Sequence, residues 1–167
     1  MKPKSTNELN AILENTHPDQ LGEYIKANRS DLIDGSKSFY YYMKDTLAKK
    51  KIRLKDVYSL AGVTESYGSK IITMEKHTTN RDLIIRFCIV GHFTKEEANK
   101  ALKLYGFNEL YPRDMRDACI ISALNFGKNR LCDVDDLLRE NNLRIITEDA
   151  EENDRSGNSR HFLTISR

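Results

Sequence analysis

The sequence contains no tryptophan and has only three cysteines, three prolines and eight glycines among its 167 residues. Scarce proline and glycine argue against a disordered or collagen-like chain and favour helices. No apolar run reaches the roughly 18 residues that a membrane-spanning helix needs. The N-terminus also lacks the apolar stretch of a signal peptide. We therefore expect a helix-rich cytoplasmic protein that does not enter a membrane.

The sequence also lacks the residue groupings that metal sites and most active sites require. Its three cysteines, Cys88, Cys119 and Cys132, lie far apart, and the four histidines are equally scattered. An odd cysteine count argues against a disulfide framework. There is no nucleophile elbow, P-loop or paired metal-ligand motif. We predict no metal, no cofactor and no enzymatic activity.

Charge is nearly balanced overall, at +2, but it is distributed unevenly. Residues 36–81 contain ten lysines and arginines against four acids, whereas residues 133–156 contain three arginines against nine acids. A basic middle region is typical of a surface that faces phosphate groups, although ordinary solvated helix faces would also account for it.

Apolar residues recur at intervals of three and four along most of the chain, which predicts an all-α protein of seven to nine helices. The predicted ends of these helices are marked by capping residues, glycines and prolines, including a capping box from Thr94 to Glu97. The predicted helices cover 7–14, 19–28, 36–50, 54–61, 64–74, 79–92, 94–105, 112–126 and a segment from 133 to about 141. Near the C-terminus, 143–147 and 161–166 are β-prone and can pair as a small hairpin that leans on the helices.

The most informative segment is 54–71, where two short predicted helices are joined by a tight turn. Gly62 lies where the turn needs a residue that tolerates positive φ. Apolar residues fall where side chains must fill the angle between two crossing helices: Val57, Ala61, Val63 and Ile71. A helical wheel leaves one side of the second helix exposed, with Lys70 at its margin and Thr64, Glu65, Ser66, Ser69 and Thr73 facing outward.

Residues 36–105 resemble the lambda-repressor-like (Cro/C1-type, XRE) helix–turn–helix family, with one helix before the motif and two after it. The resemblance implies a domain at 36–106, flanked by a helical N-terminal arm at 1–35 and a C-terminal helical segment at 107–167. It further implies a transcriptional regulator that inserts the second motif helix into the major groove of double-stranded DNA. A homodimer would double the recognised half-site.

Carried over residue by residue, the resemblance assigns base contacts to the exposed side of the second motif helix. Glu65 would accept from a cytosine amino group, and Lys70 would donate to guanine or phosphate. The other candidates on that helix are Thr64, Ser66, Ser69 and Thr73. Three basic residues on its flanks are candidate phosphate contacts that position the domain without reading bases: Lys55, Lys76 and Arg81.

The segment departs from the family pattern at two facing positions. The family usually has alanine where this chain has Tyr58, so the tyrosine must swing out or widen the helix crossing. Gly68 takes a core-facing position that more often holds an apolar side chain, and it can be the small partner that makes room for Tyr58. No arginine lies on the second motif helix. The alternative function is therefore a protein-interaction or signal-sensing module that keeps this fold without DNA readout.

A second local motif begins at Tyr111-Pro112 and continues with Arg113, Asp114, Arg116 and Asp117. Proline in the first turn followed by acids is typical of a helix start, and the charges can pair along an exposed helix face. The sharper hypothesis is that Arg113 and Arg116 contact an anionic group on a ligand or on a protein partner docked at the C-terminal segment.

Overall fold

The computed structural model describes residues 3–32 and 35–148, and all regular structure in these ranges is helical. This confirms the predicted all-α class. Short 3₁₀ turns, Pro18–Gln20 and Gly35–Lys37, precede α2 and α3. None of the helices in these ranges has the length and apolar content that a membrane span requires. The α-helices are α1 (Thr6–Glu14), α2 (Leu21–Ala27), α3 (Ser38–Lys49), α4 (Leu54–Leu60), α5 (Glu65–Ile72), α6 (Arg81–Val90), α7 (Lys95–Tyr105), α8 (Met115–Asn125) and α9 (Leu131–Glu140).

The chain divides into two compact units, residues 1–38 and 39–167. In the first unit, α1 starts with a capping box in which Ser5 accepts from the Glu8 N–H and Glu8 accepts from the Ser5 N–H. Lys4 Nζ donates to Asn28 Oδ1 at 2.6 Å, which ties the start of α1 to the end of α2. None of the α1 residues is buried.

The second unit is built around α6. Every residue from Asp82 to Val90 is buried, because α6 packs against α4, α7 and α9. The sequence predicts this burial, since apolar residues cover most sides of the helix. Helices α8 and α9 share this core through Ile120 and Leu138, and Ile146 joins it from the segment after α9, so they belong to the same compact unit.

Six helices of the second unit end in the same type of C-terminal motif. A residue with positive φ follows the helix, and the next backbone N–H donates to the carbonyl five residues earlier, as in a Schellman motif. Glycine fills the positive-φ position after α4, α7 and α8, whereas Lys51, His92 and Asn142 fill it after α3, α6 and α9. The residue after it is apolar in five cases, Ile52, Val63, Phe93, Phe107 and Leu143, which anchors each helix end to the core.

The predicted C-terminal hairpin is wrong in its first half, and its second half, 161–166, lies outside the described residues. Residues 143–147 form no strand. Their backbone N–H and carbonyl groups form hydrogen bonds with side chains instead. The Ile146 N–H donates to Asp135 Oδ1 at 2.7 Å, and the Arg116 side chain donates to the carbonyls of Arg144 and Ile145. These bonds replace the ladder bonds of a strand.

Candidate nucleic-acid interface

The α4–α5 pair, residues 54–72, consists of two short helices joined by a turn. Gly62 has φ of +76°, as the turn chemistry predicts, and the Val63 N–H donates to the Tyr58 carbonyl at 3.1 Å. Thr64 caps α5, because its Oγ1 accepts from the Tyr67 N–H at 3.2 Å. The turn and the cap together fix where α5 begins relative to α4.

The inner side of the pair is filled by the apolar residues that the sequence assigned to it. Val57, Ala61 and Ile71 are at most 1 % exposed, and Val63 is half-buried. They join the core around α6, with which α4 is in contact. The α4–α5 pair is therefore packed on the core of the second unit.

Tyr58 and Gly68 pack directly on each other. Tyr58 is buried and its ring meets Phe87 edge to face, with 6.3 Å between the ring centroids. A Cβ atom added to Gly68 would lie 2.4 Å from Tyr58 Cδ1, which is closer than any real contact. Of the two outcomes that the sequence left open for Tyr58, the ring stays inside, and the missing side chain at position 68 provides its space.

The outer side of α5 begins with exposed polar residues. Thr64, Glu65, Ser66 and Lys70 are all exposed on the first two turns. Lys70 forms no salt bridge with any residue of the described ranges. Glu65 lies in the first turn, where the helix dipole favours a carboxylate. The side chains of Glu65, Ser66 and Lys70 can contact a ligand in front of the helix, whereas the Thr64 hydroxyl oxygen already caps α5.

Two other predicted base contacts are less accessible. Ser69 and Thr73 are half-buried, and the Thr73 hydroxyl donates to the Ser69 carbonyl at 2.8 Å. Burial raises the pKa of Tyr58, and the Ser69 side chain beside its hydroxyl partly offsets that increase. These two residues stabilise the end of α5 and present little polar surface.

Lysines extend the polar face of α5 at its flanks. Lys76 is exposed, and its Nζ lies 5.1 Å from the centroid of the Tyr67 ring, a cation–π distance. Its backbone N–H donates to the Lys70 carbonyl at 3.0 Å, which holds it close to the end of α5. Lys55 is exposed on the first turn of α4.

Arg81, a predicted phosphate contact, has a different role. Its guanidinium donates to both Asp117 carboxylate oxygens at 2.9 Å and to the carbonyls of Asn108 and Glu109. Because all of these donors are used inside the protein, Arg81 is removed from the set of phosphate contacts.

Arg116 was predicted to contact an external anion, and this too is corrected. It donates to both Asp82 carboxylate oxygens at 2.8 Å, while Arg144 adds a contact to the same carboxylate at 3.3 Å. The predicted pairing along an exposed face of α8 is replaced by pairs between helices. Arg113 alone of the two arginines is exposed and keeps the predicted accessibility.

The two bidentate pairs are reciprocal. The dipeptide Arg81-Asp82 opens α6, and Arg116-Asp117 lies in the first turn of α8. Each arginine binds the aspartate of the other dipeptide. Burial raises the pKa of Asp117, but hydrogen bonds from Arg81 and the Tyr111 N–H outweigh it, and the pKa lies below its usual value. The repeated Arg-Asp dipeptide was the available sequence signal, although nothing local identified its partner.

Metal binding finds no support among the residues from 3 to 32 and 35 to 148. No group of three or more His, Cys, Asp or Glu side chains within them could hold a metal ion. Cys88 lies in the core of α6, where burial raises the pKa of its thiol and keeps it protonated. Comparisons of the chain with protein-family models, curated proteins and solved structures find no significant match.

Proposed function

We propose that this protein is a sequence-specific DNA-binding transcriptional regulator of the lambda-repressor-like type, in which α5 enters the major groove. The observation that carries the proposal is the exposed polar face of α5, formed by Thr64, Glu65, Ser66 and Lys70. This helix is capped, anchored through Ile71 and Ile72 in the core, and preceded by a tight glycine turn. A rigid helix with a polar outer face is what reading base edges requires.

The charged residues of this interface have two different roles, phosphate contact and base contact. Lys55 and Lys76 flank α5 and are placed to neutralise phosphates, which supplies affinity without sequence information. Glu65 can accept a hydrogen bond from a cytosine amino group, and Lys70 can donate to guanine. Since α5 carries no arginine, we expect base discrimination to be modest and phosphate contacts to supply most of the affinity.

A selection from random duplex DNA at low salt tests the proposal. We expect an enriched sequence that the full chain binds better than a scrambled duplex, and we expect Glu65→Ala to relax the preference at one base pair. Lys103→Ala, which removes an exposed lysine from α7, is the matched control and should leave the enrichment unchanged. Failure to enrich any sequence would contradict sequence-specific binding.

The second candidate function, an interaction module without DNA readout, is supported by the balance of charge on α5. The helix carries one acid, Glu65, and one base, Lys70, so its own formal charge is zero. This second function makes the opposite prediction to DNA binding: the full chain should show no mobility shift with duplex DNA even at low salt.

A further inference from the structure

A cleft of about 250 Å³ lies between the turn that joins α6 to α7 and the turn that joins α8 to α9. Three of the residues that line it are apolar and buried: Ile89, Phe93 and Leu124. The volume is below the roughly 300–1,000 Å³ of pockets that take drug-sized ligands. An occupant of this cleft must therefore be a small molecule with an apolar part.

The other side chains that line the cleft are polar. Within the described part of the chain none of them is acidic, and all can donate hydrogen bonds: His92, Thr94, Asn125, Lys128 and Asn129. An apolar lining with a few convergent polar groups is typical of a small-molecule site. Because donors surround the cleft, the ligand should carry hydrogen-bond acceptors.

The acids on the α7 side of the cleft are already paired. Glu97 Oε2 lies 2.8 Å from Lys50 Nζ, and Glu96 Oε1 lies 3.7 Å from Lys95 Nζ. These pairs cancel the charges that follow the cleft in the first turn of α7. They leave the α8–α9 side to set the charge of the site.

The α8–α9 side of the cleft carries an excess of positive charge. Lys128 and Arg130 are both exposed and face one acid in the first turn of α9, Asp133. Lys128 forms no salt bridge with any residue of the described ranges. Its ammonium group is therefore available to an anionic ligand in the cleft.

Both turns that border the cleft are held by backbone hydrogen bonds. The Phe93 N–H donates to the Cys88 carbonyl at 3.0 Å, and the Lys128 N–H donates to the Ala123 carbonyl at 2.9 Å. The Phe93 ring also meets Tyr42 edge to face, with 6.4 Å between the ring centroids. The cleft is consequently formed before any ligand arrives, as small-molecule sites usually are.

His92 combines a place in the cleft with an unfavourable backbone conformation. Its φ is +59°, which glycine adopts without the steric cost that a side chain has there. Residues held in such conformations are concentrated at functional sites. The imidazole therefore points to a role in the cleft that glycine could not fill.

We propose that this cleft binds a small organic anion, namely a carboxylate carried on an apolar body. The apolar part contacts Phe93 and its buried neighbours, while the carboxylate accepts hydrogen bonds from Lys128 and His92. The site lies outside the α4–α5 pair, goes beyond the proposed DNA binding and is tested without DNA.

An NMR titration of the isotope-labelled full chain tests the site, with benzoate as the probe. We expect saturable shifts at the backbone amides of 91–94 and 125–129. Benzamide has the same shape without the charge, and inorganic phosphate has charge without an apolar part, so both should bind more weakly. The proposal is wrong if benzoate gives no saturable shift, shifts another surface instead, or binds no better than phosphate.

Two lysine variants separate the charge of Lys128 from general effects. Lys128→Ala should weaken benzoate binding by about three- to tenfold and leave benzamide binding unchanged, because only benzoate has a charge to lose. Lys103→Ala removes an exposed lysine of α7 that does not line the cleft, and it should change neither affinity. Equal benzoate affinity of wild type and Lys128→Ala would overturn the proposal.

Two further variants test the imidazole and the space of the cleft. His92→Gly should weaken benzoate binding even though it relieves the left-handed strain, a combination that a purely structural role would not produce. Asn125→Trp places a large ring at an exposed position of the lining and should abolish binding of both benzoate and benzamide. Circular dichroism of each variant shows that the fold is retained. Unchanged benzoate binding by Asn125→Trp would place the ligand elsewhere and overturn the proposal.

Discussion

At the scale of single residues, the contact between Tyr58 and Gly68 sets the geometry of the α4–α5 pair. Alanine at position 68 would place its Cβ 2.4 Å from the buried ring. We expect Gly68→Ala to lower the free energy of unfolding by about 1–3 kcal/mol, as overpacking does. In a Tyr58→Ala background the same change should instead stabilise α5 by about 1 kcal/mol, because alanine is the better helix former. Urea denaturation of the four proteins measures this coupling, and simple additivity would contradict it.

His92 gives a second prediction at this scale. It is exposed and holds φ of +59° after α6, a conformation that costs an ordinary residue roughly 1 kcal/mol. His92→Gly should raise the free energy of unfolding by about 0.5–1 kcal/mol, measured by urea denaturation. His92→Ala keeps the left-handed strain and should give no gain. Equal effects of the two variants would refute the conformational explanation.

All six helix ends that a left-handed residue follows agree with the prediction within two residues, but that residue is visible in the sequence only where it is glycine. Gly62, Gly106 and Gly127 signal a left-handed residue in the sequence, and the helices before them end where predicted. Lys51, His92 and Asn142 adopt the same conformation without that signal. Their conformation is imposed by the apolar residue that follows each of them and packs into the core, which is tertiary information.

At the scale of helices, the reciprocal arginine–aspartate pairs hold the start of α6 against the start of α8. The structure places Asp117 at the centre of one pair, with its pKa lowered by Arg81 and the Tyr111 N–H against the effect of burial. The unfolded chain has a higher Asp pKa, about 3.9. The ionised carboxylate therefore contributes stability above that pH, and the contribution is lost as pH falls through the lower folded pKa.

Replacing the Asp117 carboxylate tests whether its ionisation contributes to the free energy of unfolding. Asp117→Asn should lower the free energy of unfolding at pH 7 and reduce its dependence on pH below about 4. Asp136→Asn is the matched control, because Asp136 pairs with Arg139 one turn away on an exposed surface and such pairs contribute little. Urea titrations from pH 7 to acid give both quantities. Parallel pH profiles for wild type and Asp117→Asn would contradict the assigned role.

These pairs also show what sequence reasoning missed at this scale. Periodicity and caps predicted α6 and α8. The family resemblance drew attention to Arg81, and the motif that begins at Tyr111-Pro112 drew attention to Arg113 and Arg116. Which carboxylate each arginine meets depends on how two helices pack across more than 30 residues of sequence, and no local pattern encodes that. Both Arg81 and Arg116 therefore changed from candidate surface contacts to internal pairs.

At the scale of the whole molecule, the helix content was predictable, whereas the arrangement of the C-terminal segment was not. Helical spacing of apolar residues identified every α-helix of the described ranges, with ends that differ by a few residues. Residues 143–147 are rich in β-branched residues, yet they form no strand, because Asp135 and Arg116 bind their backbone. Buried side chains overrode local propensity there.

Part of the candidate site could be predicted from the sequence, because helical periodicity decides which residues of α5 face outward. The exposed and buried sides of α5 follow from helical periodicity, and the structure leaves Thr64, Glu65, Ser66 and Lys70 exposed. The half-burial of Ser69 and Thr73 depends on packing against the rest of the unit. DNA binding is the proposal that a binding measurement tests.

The most direct test of that proposal is the salt dependence of binding to duplex DNA. Fluorescence anisotropy from low to moderate salt should give a steep linear fall of log K with log salt for the full chain. Lys76→Ala should reduce that slope by about 0.9, because Lys76 is placed to neutralise one phosphate, while Lys103→Ala should leave it unchanged. Absence of binding at low salt, or equal slopes for wild type and both variants, would contradict the assignment of α5 as the DNA-binding helix.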